Sequence, residues 1–418
     1  MIKRTFIIVF LISLNKLFAQ QTFYLSSDGN DNNIGTSAAL PLRTLKNIKP
    51  GNTYLFKSGD TFFVKINPIP KGPYESSITF SSYGKGSKPI LSAYKTIKPG
   101  VWKKIKNNIW QLDLGNPMNY TGFGGPDTNV AFIKVGTNIF GNRCISDVSL
   151  KANWDFYCDK RLLYVFSSSD PSLVSRSIKI ACNNLILNLS DNMKISNLQL
   201  IGTGSHAIRG ESIKNVVLRN LNISEIGGSV LFNTTRYGNG IELWNSADNC
   251  LIENCKITQV YDAALTMQGK GDNQYFNDVV IRNNTIQYNE QSFEFWINGF
   301  KSGFNNCKFI NNYCAKAGYG WSHSVRPIKS TGVHILNYSW EVIKSDLTIS
   351  GNTFKDAISG YIYIFLNGKP LFKSYNNKIY LRSETPLQSE DIRFPLKNRA
   401  QLYKLKDIEK GTQYLKLK

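Results

Sequence analysis

The sequence has few of the residues from which metal centres and disulfide frameworks are built. Its 418 residues include three histidines and seven cysteines, and no Cys-x-x-Cys pair occurs. Zinc sites need closely spaced Cys and His ligands, and a disulfide framework is built from an even set of cysteines. We therefore expect neither a zinc site nor a disulfide framework, and we expect the cysteines to be inward-facing thiols of a core.

Other functional signatures are missing as well. The sequence contains no glycine-rich phosphate loop and no Ser-His-Asp order of the kind found in hydrolytic triads. After the N-terminus, no apolar stretch is long enough to span a bilayer. No cofactor is predicted. Calcium is compatible with the asparagine-rich segments because it prefers oxygen ligands, but no residues can be assigned to it.

The N-terminus has the pattern of a targeting segment. It carries a basic start, MIKR, followed by the apolar run TFIIVFLISL and then NKLFAQ. This order is typical of a secretory signal peptide, which we assign to residues 1–19. The protein is therefore predicted to be secreted or periplasmic. No cysteine follows Ala19, so a lipid anchor at the cleavage site is not indicated.

The chain is strongly basic. Its formal charge is +21, or about +18 once Lys3, Arg4 and Lys16 leave with the signal peptide. In a secreted protein this surplus favours an anionic partner. We expect an acidic polysaccharide rather than nucleic acid, and a monomer. The alternative is a lysine-rich proteome in which the scattered lysines have no particular partner.

One eight-residue phrase recurs between Met193 and about Phe365. Its copies are MKISNLQL from Met193, VVLRNLNI from Val216, CLIENCKI from Cys250, VVIRNNTI from Val279, CKFINNYC from Cys307 and LTISGNTF from Leu347. The fifth position is Asn in five copies and Gly351 in the sixth. Asn and Gly tolerate the left-handed backbone that a sharp corner requires. The repeat predicts an all-β fold, a right-handed parallel β-helix with one phrase per rung.

Three segments near the N-terminus extend this interpretation. "YLSSDGNDNNIGT…PLRTL", "FKSGDTF" and "ITFSSYGKGSKPIL" resemble the first coils of secreted parallel β-helix proteins of the pectate-lyase-like superfamily. That superfamily includes lyases, hydrolases and non-enzymes, so the resemblance implies the fold and leaves the reaction open. The predicted domains are N-terminal coils (20–95), a β-rich insertion (96–177), the main repeats (178–374) and a C-terminal cap (375–418).

A second strand follows each phrase and carries the candidate active site. These strands are GIELWN from Gly240, AALTMQG from Ala263 and SFEFWING from Ser292. Counting from the phrase starts makes Leu265 equivalent to Glu294, and side-chain alternation directs the Glu and Trp residues outward. The predicted groove contains the catalytic candidates Glu242, Asp262 and Glu294 and the substrate-binding candidates Trp244, Trp296 and Gln268.

The spacing of these carboxylates suits glycoside hydrolysis. Two rungs separate Glu242 from Glu294, so their backbones lie about 9.6 Å apart. Asp262 and Glu294, on adjacent rungs, form an equally good pair. One carboxyl would protonate the leaving oxygen while the other activates water. The structural alternative is a solvated or laddered glutamate, but Glu242 and Glu294 show no obvious basic neighbours in the sequence.

The loop GYGWSHSVRPIKSTGVHILNYSW, which begins at Gly318, supports a rival function. In a β-eliminating lyase, Arg326 would neutralise a uronate carboxylate, and His323 or Tyr319 would be the base. Trp321 in the same loop, and His206 in the first repeat coil, are further substrate-binding candidates. A third possibility is a glycan-binding or surface protein that uses the same groove without catalysis.

The repeat also assigns structural roles. Arg219, Glu253 and Arg282 occupy position four on consecutive rungs and are predicted to form a charge ladder. Cys250 and Cys307 share position one with Val279 between them, which places them about 9.6 Å apart and excludes a disulfide.

Overall fold

The computed structural model describes residues 20–46, 48–67, 77–125, 127–137, 139–338, 344–364, 372–389 and 409–417. The predicted signal peptide, residues 1–19, lies outside the described residues, as does much of the predicted C-terminal cap. Among the described residues, no helix is long and apolar enough to cross a membrane.

The chain forms a right-handed parallel β-helix, as the repeat predicts. The phrases stack in the predicted register, with Ile195 opposite Leu218, Cys250 opposite Val279 and Cys307 opposite Leu347. Each corner residue at position five has a left-handed backbone, from Asn197 with a φ of 59° to Gly351 with a φ of 66°. Asn and Gly recur there because other side chains are strained in that conformation.

The N-terminal coils and the insertion contain the first fourteen strands and one short helix. The coils comprise β1 (Thr22–Leu25), β2 (Thr53–Lys57), β3 (Thr61–Phe62), β4 (Ile78–Tyr83) and β5 (Ile90–Ser92). The insertion comprises β6 (Lys95–Ile97), β7 (Lys103–Lys106), β8 (Ile109–Asp113), β9 (Tyr120–Gly122), β10 (Phe132–Val135), β11 (Ile139–Phe140), β12 (Phe156–Asp159), β13 (Leu162–Phe166), α1 (Pro171–Val174) and β14 (Ile178–Ala181), with 3-10 turns at Pro117–Asn119 and Asp147–Ser149.

The main stack and the tail contain the remaining elements. The stack comprises β15 (Leu187–Asn188), β16 (Met193–Ser196), β17 (Gln199–Thr203), β18 (Ile208–Lys214), β19 (Val217–Arg219), β20 (Asn222–Ile226), β21 (Ser229–Phe232), β22 (Thr235–Tyr237), β23 (Ile241–Glu253), β24 (Lys256–Val260), β25 (Ala263–Lys270), β26 (Tyr275–Arg282), β27 (Thr285–Gln287), β28 (Gln291–Asn298), β29 (Gly303–Ile310), β30 (Tyr313–Ala317), α2 (Trp321–Val325), β31 (Val333–Asn337), β32 (Lys344–Ser350), β33 (Thr353–Ala357) and β34 (Gly360–Ile364). The tail adds β35 (Lys373–Tyr375), β36 (Lys378–Leu381), β37 (Gln388–Ser389), β38 (Glu409–Lys410) and β39 (Gln413–Lys416).

The insertion interrupts the sequence but not the stack. Strand β4 pairs in parallel with β16, so that Ile78 lies opposite Met193, and β5 pairs with β17. The insertion forms two antiparallel sheets of its own, in the orders β11-β10-β14-β6-β9 and β12-β13-β8-β7. Because β14 pairs antiparallel with β10, the predicted return to the coil stack at Ile178 is wrong. The first parallel strand after the insertion is β15.

The tail does not simply cap the last rung. The segment FKSYNNKI, which starts at Phe372, is a seventh copy of the phrase, and its fifth residue, Asn376, has a φ of 56°. Strand β35 pairs in parallel with β32, β36 with β33, and β39 with β36. The described part of the predicted cap therefore extends the helix by further strands.

Buried asparagines stabilise one corner of the stack. Asn284, Asn312, Asn352 and Asn377 occupy phrase position six on successive rungs and are at most 1% exposed. Each of the first three donates its side-chain amide to the carboxamide oxygen of the next, over 3.0 to 3.1 Å. The ladder also accepts backbone N–H groups, for example from Cys255 to Asn284. At the αL corner one residue earlier, the side-chain amide of Asn220 also donates to the carboxamide oxygen of Asn197, over 2.7 Å.

The other structural predictions from the repeat are confirmed. Both Arg219 and Arg282 donate to the carboxylate of Glu253, at 2.5 and 2.8 Å. All seven cysteines are free thiols, and Cys250 and Cys307 are buried.

Candidate active site

The floor of the candidate site is formed by three consecutive second strands. Glu242 on β23 lies opposite Thr266 on β25, and Thr266 lies opposite Glu294 on β28. Sequence counting had placed Leu265 between the two glutamates, which is wrong by one residue. Leu265 is fully buried and lies opposite Phe293 in the core.

A row of larger side chains runs beside the glutamates. Trp244, Gln268 and Trp296 are equivalent on the same three rungs. The two indole rings approach edge to face, with their centroids 5.6 Å apart. This aromatic surface has the size and chemistry to stack against a sugar ring.

Loop residues close the floor into a pocket of about 880 Å³. Its lining includes Glu242, Asp262, Glu294, Trp244, Trp296, Gln268 and His206 from the predicted site. One wall is the antiparallel hairpin of β21 and β22, which carries the exposed Leu231 and Phe232 near its turn. The structure therefore gathers the three carboxylates and both tryptophans around one space.

Glu242 has the basic neighbours that the sequence did not reveal. The Nε2 atom of His206 lies 2.7 Å from Oε2 of Glu242, and Nε of Arg209 lies 3.5 Å from Oε1. Asn239 also donates its side-chain amide to Oε2, over 3.2 Å. Burial acts to raise the pKa of Glu242, but His206, Arg209 and Asn239 outweigh it and hold that pKa below its ordinary value.

The ring of His206 is fixed by the backbone. Its Nδ1 accepts the backbone N–H of Asn239 at 3.0 Å. Because that nitrogen accepts a hydrogen bond, the proton lies on Nε2, which donates to Glu242. His206 thus orients Glu242 on the pocket floor.

The pKa of Glu294 is shifted in the opposite direction to that of Glu242. Burial and the negative charge of Asp262 raise the pKa of Glu294 to about 8. Arg326 and the indole N–H of Trp296, which donates to Glu294 over 3.1 Å, only partly offset this rise. At neutral pH Glu294 is therefore a protonated carboxyl group, which can donate a proton.

Asp262 lies at the corner immediately before β25 and is held by Arg326. An Nη1 hydrogen of Arg326 is donated to Oδ1 of Asp262 over 3.1 Å, and another to the Tyr261 carbonyl oxygen over 2.8 Å. The guanidinium of Arg326 also lies 4.8 Å from the ring centroid of Tyr261. Asp262 and Glu290 together raise the pKa of Arg326 despite its burial, so it stays charged.

Glu290, which the sequence analysis missed, anchors the long loop behind the pocket. It is fully buried, and its carboxylate contacts His323 at 3.2 Å, Thr331 at 3.0 Å and Arg326 at 3.8 Å. No repeat pattern identified it, because Glu290 lies at a corner before β28.

The four residues proposed from this loop, Tyr319, Trp321, His323 and Arg326, do not line the pocket. The hydroxyl of Tyr319 donates to Asp356 at 3.2 Å, beside Arg382. Trp321 begins α2 and is 8% exposed, because it is buried among Tyr261 and the insertion residues Phe132 and Phe140. The ring of His323 is directed at Glu290, so Tyr319, His323 and Arg326 do not converge on one substrate position.

Arg209, Arg236 and Tyr237 also line the pocket and were missed. Arg209 could have been predicted from the repeat, since it lies opposite Glu242 on the preceding rung. Arg236 and Tyr237 lie in the hairpin, which has no counterpart in the repeat. Among the described residues, no group of three or more His, Cys, Asp or Glu side chains is arranged to hold a metal ion.

The fold and the pocket define the class of protein: a right-handed parallel β-helix with a carboxylate- and tryptophan-lined pocket. No protein-family model matches the sequence, and no curated protein matches it. Among solved structures, the complex of XylC with xylose is 9% identical, with a TM-score of 0.53 over 94% of this chain and 83% of that chain.

Two further solved structures have lower TM-scores. A GH136 lacto-N-biosidase from Eubacterium ramulus is 12% identical over 95% of this chain and 68% of that chain, with a TM-score of 0.41. A rhamnogalacturonan lyase is 11% identical over 94% of this chain and 87% of that chain, with a TM-score of 0.43. The likeness to XylC confirms the predicted fold.

Proposed function

We propose that the protein hydrolyses glycosidic bonds in an anionic polysaccharide, with Glu294 as general acid and Asp262 as general base. The observation that carries this proposal is the contrast between the two carboxyl groups in one pocket. Burial and the charge of Asp262 raise the pKa of Glu294 to about 8, whereas Asp262 is paired with the charged Arg326. A glycosidase needs one protonated and one ionised carboxyl group.

Each group has a defined part in the reaction. Glu294 donates its proton to the glycosidic oxygen as the bond to the anomeric carbon breaks. Asp262 removes a proton from the water whose oxygen forms the new bond to that carbon. This separation of roles is the one expected for hydrolysis with inversion.

Asp262 is better suited than Glu242 to act as base. Both oxygens of Glu242 face donors, from Arg209 on one side and from His206 and Asn239 on the other. Arg326 bonds Oδ1 of Asp262, and no hydrogen bond to Oδ2 occurs within the described chain. Glu242 instead supports the pocket as a fixed negative charge and an acceptor for sugar hydroxyls.

The binding surface supports a sugar as ligand. Trp244 and Trp296 present aromatic rings beside the acid, and Gln268 adds a carboxamide between them. XylC, whose fold this chain shares, was solved in complex with xylose. The basic surplus of the chain, +21, favours a polyanionic substrate. The predicted signal peptide would deliver the activity to the periplasm or the exterior of the cell.

The surroundings of Arg326 favour hydrolysis over elimination by the long loop. A lyase needs a cation that is free to neutralise a uronate carboxylate. The charge of Arg326 is already opposed by Asp262 and Glu290, and its side chain is 11% exposed. Tyr319, the alternative base, bonds to Asp356 outside the pocket.

Product analysis tests the proposal. The protein is incubated with polygalacturonate, alginate, hyaluronan and glucuronate-substituted xylan, and both reducing ends and ultraviolet absorbance are followed. Hydrolysis yields reducing ends without the absorbance of an unsaturated sugar. Glu294→Gln and Asp262→Asn should each lower kcat by about 10²- to 10⁴-fold.

The matched control is Asp159→Asn, because Asp159 is an exposed carboxylate of the insertion. Its activity should equal that of the wild type. An unsaturated product would overturn hydrolysis in favour of elimination. Binding without cleavage of any substrate would support a glycan-binding protein, and full activity in both pocket variants would remove the assigned catalytic roles.

A further inference from the structure

Arg236 is the one cation of the described pocket lining that no carboxylate opposes. Arg209 is paired with Glu242 and with Glu211, the latter at 3.0 Å. Arg236 instead donates from Nε to the Gly228 carbonyl oxygen over 2.6 Å and from Nη2 to that of Ala131 over 2.9 Å. These are neutral acceptors. Among the described residues, Arg236 makes no ion pair within 4.0 Å, so its charge is not neutralised locally.

The guanidinium is also held in a fixed orientation. It lies 4.7 Å from the ring centroid of Tyr261 and connects the hairpin to the insertion through Ala131. Gly228, with a φ of +96°, leaves the space: a Cβ there would lie 3.0 Å from Nη2 of Arg236. Carbonyl oxygens accept two of the five N–H groups of Arg236, so the other N–H groups can be donated to a ligand in the pocket.

The surroundings of Arg236 leave its positive charge poorly compensated. Burial lowers the pKa of Arg236 to about 10, and although Tyr261 opposes this, Arg143 and Arg326 add to it through like charge. An anion brought next to Arg236 would relieve both the desolvation of the guanidinium and this repulsion. A planar guanidinium with two parallel N–H groups matches a carboxylate in shape.

We propose that Arg236 binds the carboxylate of a uronic acid residue, and so selects uronate-containing glycans at this pocket. The inference deepens the proposed hydrolysis, because it assumes that the pocket holds the substrate chain. Recognition is nevertheless measurable without turnover. Arg236 lies on the hairpin wall, whereas the acid and base lie on the β-helix, so binding of the charge and bond cleavage are separate functions.

The test measures binding in a catalytically silenced background. Glu294→Gln protein is titrated with a glucuronate-containing oligosaccharide and with the same oligosaccharide after reduction of its carboxyl groups to alcohols. Adding Arg236→Gln should weaken binding of the acidic ligand by about 10- to 100-fold, since a charge-assisted hydrogen bond is lost. Binding of the reduced ligand should change less than about 3-fold.

The control is Arg161→Gln, which removes the same charge from a side chain that is 69% exposed in the insertion. It should leave both affinities unchanged. Arg236→Lys keeps the charge without the planar fork, so it should fall between wild type and Arg236→Gln. Arg236→Lys also replaces Arg236→Gln in the binding test if the glutamine variant folds poorly. Circular dichroism and the unfolding midpoint show whether it does.

Several outcomes contradict the inference and are distinct from failure of hydrolysis. Equal weakening of the acidic and the reduced ligand would assign Arg236 a purely structural role. A sulfated oligosaccharide is titrated beside them. If Arg236→Gln weakened binding of the sulfated ligand but not of the glucuronate-containing ligand, the recognised anion would be sulfate and not carboxylate. If the acidic ligand binds through Arg236 but no glycan is cleaved, the proposed hydrolysis fails while the recognition site stands.

Discussion

Asp262 and Glu294 lie so close in the pocket that the charge of Asp262, added to the effect of burial, raises the pKa of Glu294 to about 8. A general acid is active only while protonated. We therefore expect kcat/KM for hydrolysis to be retained at neutral pH and to fall about tenfold per pH unit above about 8. An initial-rate series across pH 5 to 10 measures this limb.

The direction of that limb distinguishes the mechanisms. If Glu294 served as the base of an elimination, the rate would rise through the same pH because the carboxylate would be the active form. A rate that increases with pH above 8 would therefore contradict the assignment of Glu294 as acid.

Glu294 should also make the folded protein less stable as pH rises. In the unfolded chain its carboxyl group ionises near the ordinary value of 4.5, but in the folded protein only near 8. Between these values the folded state binds the extra proton, so raising the pH favours unfolding. Glu294→Gln should be more stable than wild type at pH 8, and this gain should shrink toward pH 4.5. Thermal unfolding midpoints at several pH values report it.

Glu242→Gln should show the opposite pH dependence. The pKa of Glu242 is lowered below 4.5 in the folded protein, so its ionised form contributes stability above that pH. The variant should be less stable than wild type at pH 7, and the deficit should vanish as the pH falls below the folded pKa. A deficit that is constant with pH would mean that packing, not the contact with His206, decides the effect.

Much of the fold follows from the repeat, because one phrase reports both the corner and the register. Prediction of side-chain direction from the sequence fails where a strand is buried on both faces. Residues Ala263–Gly269 of β25 are all buried, so their alternation does not show which side faces the pocket. Counting from the phrase start then placed Leu265 where Thr266 lies.

The site was only partly predictable, because its remaining contacts are long-range. The interaction between His206 and Glu242 joins residues on neighbouring coils with unequal loops. Trp321 resembled a groove residue by sequence, but its aromatic partners belong to an insertion that comes far earlier in the chain. Neither contact has a local signal in the sequence.

The asparagine ladder makes a direct prediction about stability. Asn312→Ala removes the acceptor of Asn284 and the donor to the Ile281 carbonyl, both in a buried corner. Each unsatisfied group costs about 1 to 3 kcal/mol, so the unfolding midpoint should fall clearly. The control Asn311→Gly changes the exposed αL neighbour, whose equivalent on the next rung is Gly351. An equal loss in both variants would contradict the ladder as the cause.

Tyr319→Phe tests the elimination mechanism at its proposed base. The Tyr319 hydroxyl donates to Asp356, which Lys316 also contacts and which Arg382 holds through Nε and Nη2, both at 3.0 Å. Because Asp356 keeps these partners and lies away from the pocket, the substitution should leave kcat within about 2-fold of wild type and cost at most about 1 kcal/mol of stability. Arg326→Gln, measured beside it, should lower kcat strongly because Asp262 loses its partner. A tenfold loss of kcat in Tyr319→Phe with an unchanged unfolding midpoint would place that hydroxyl at the reaction instead.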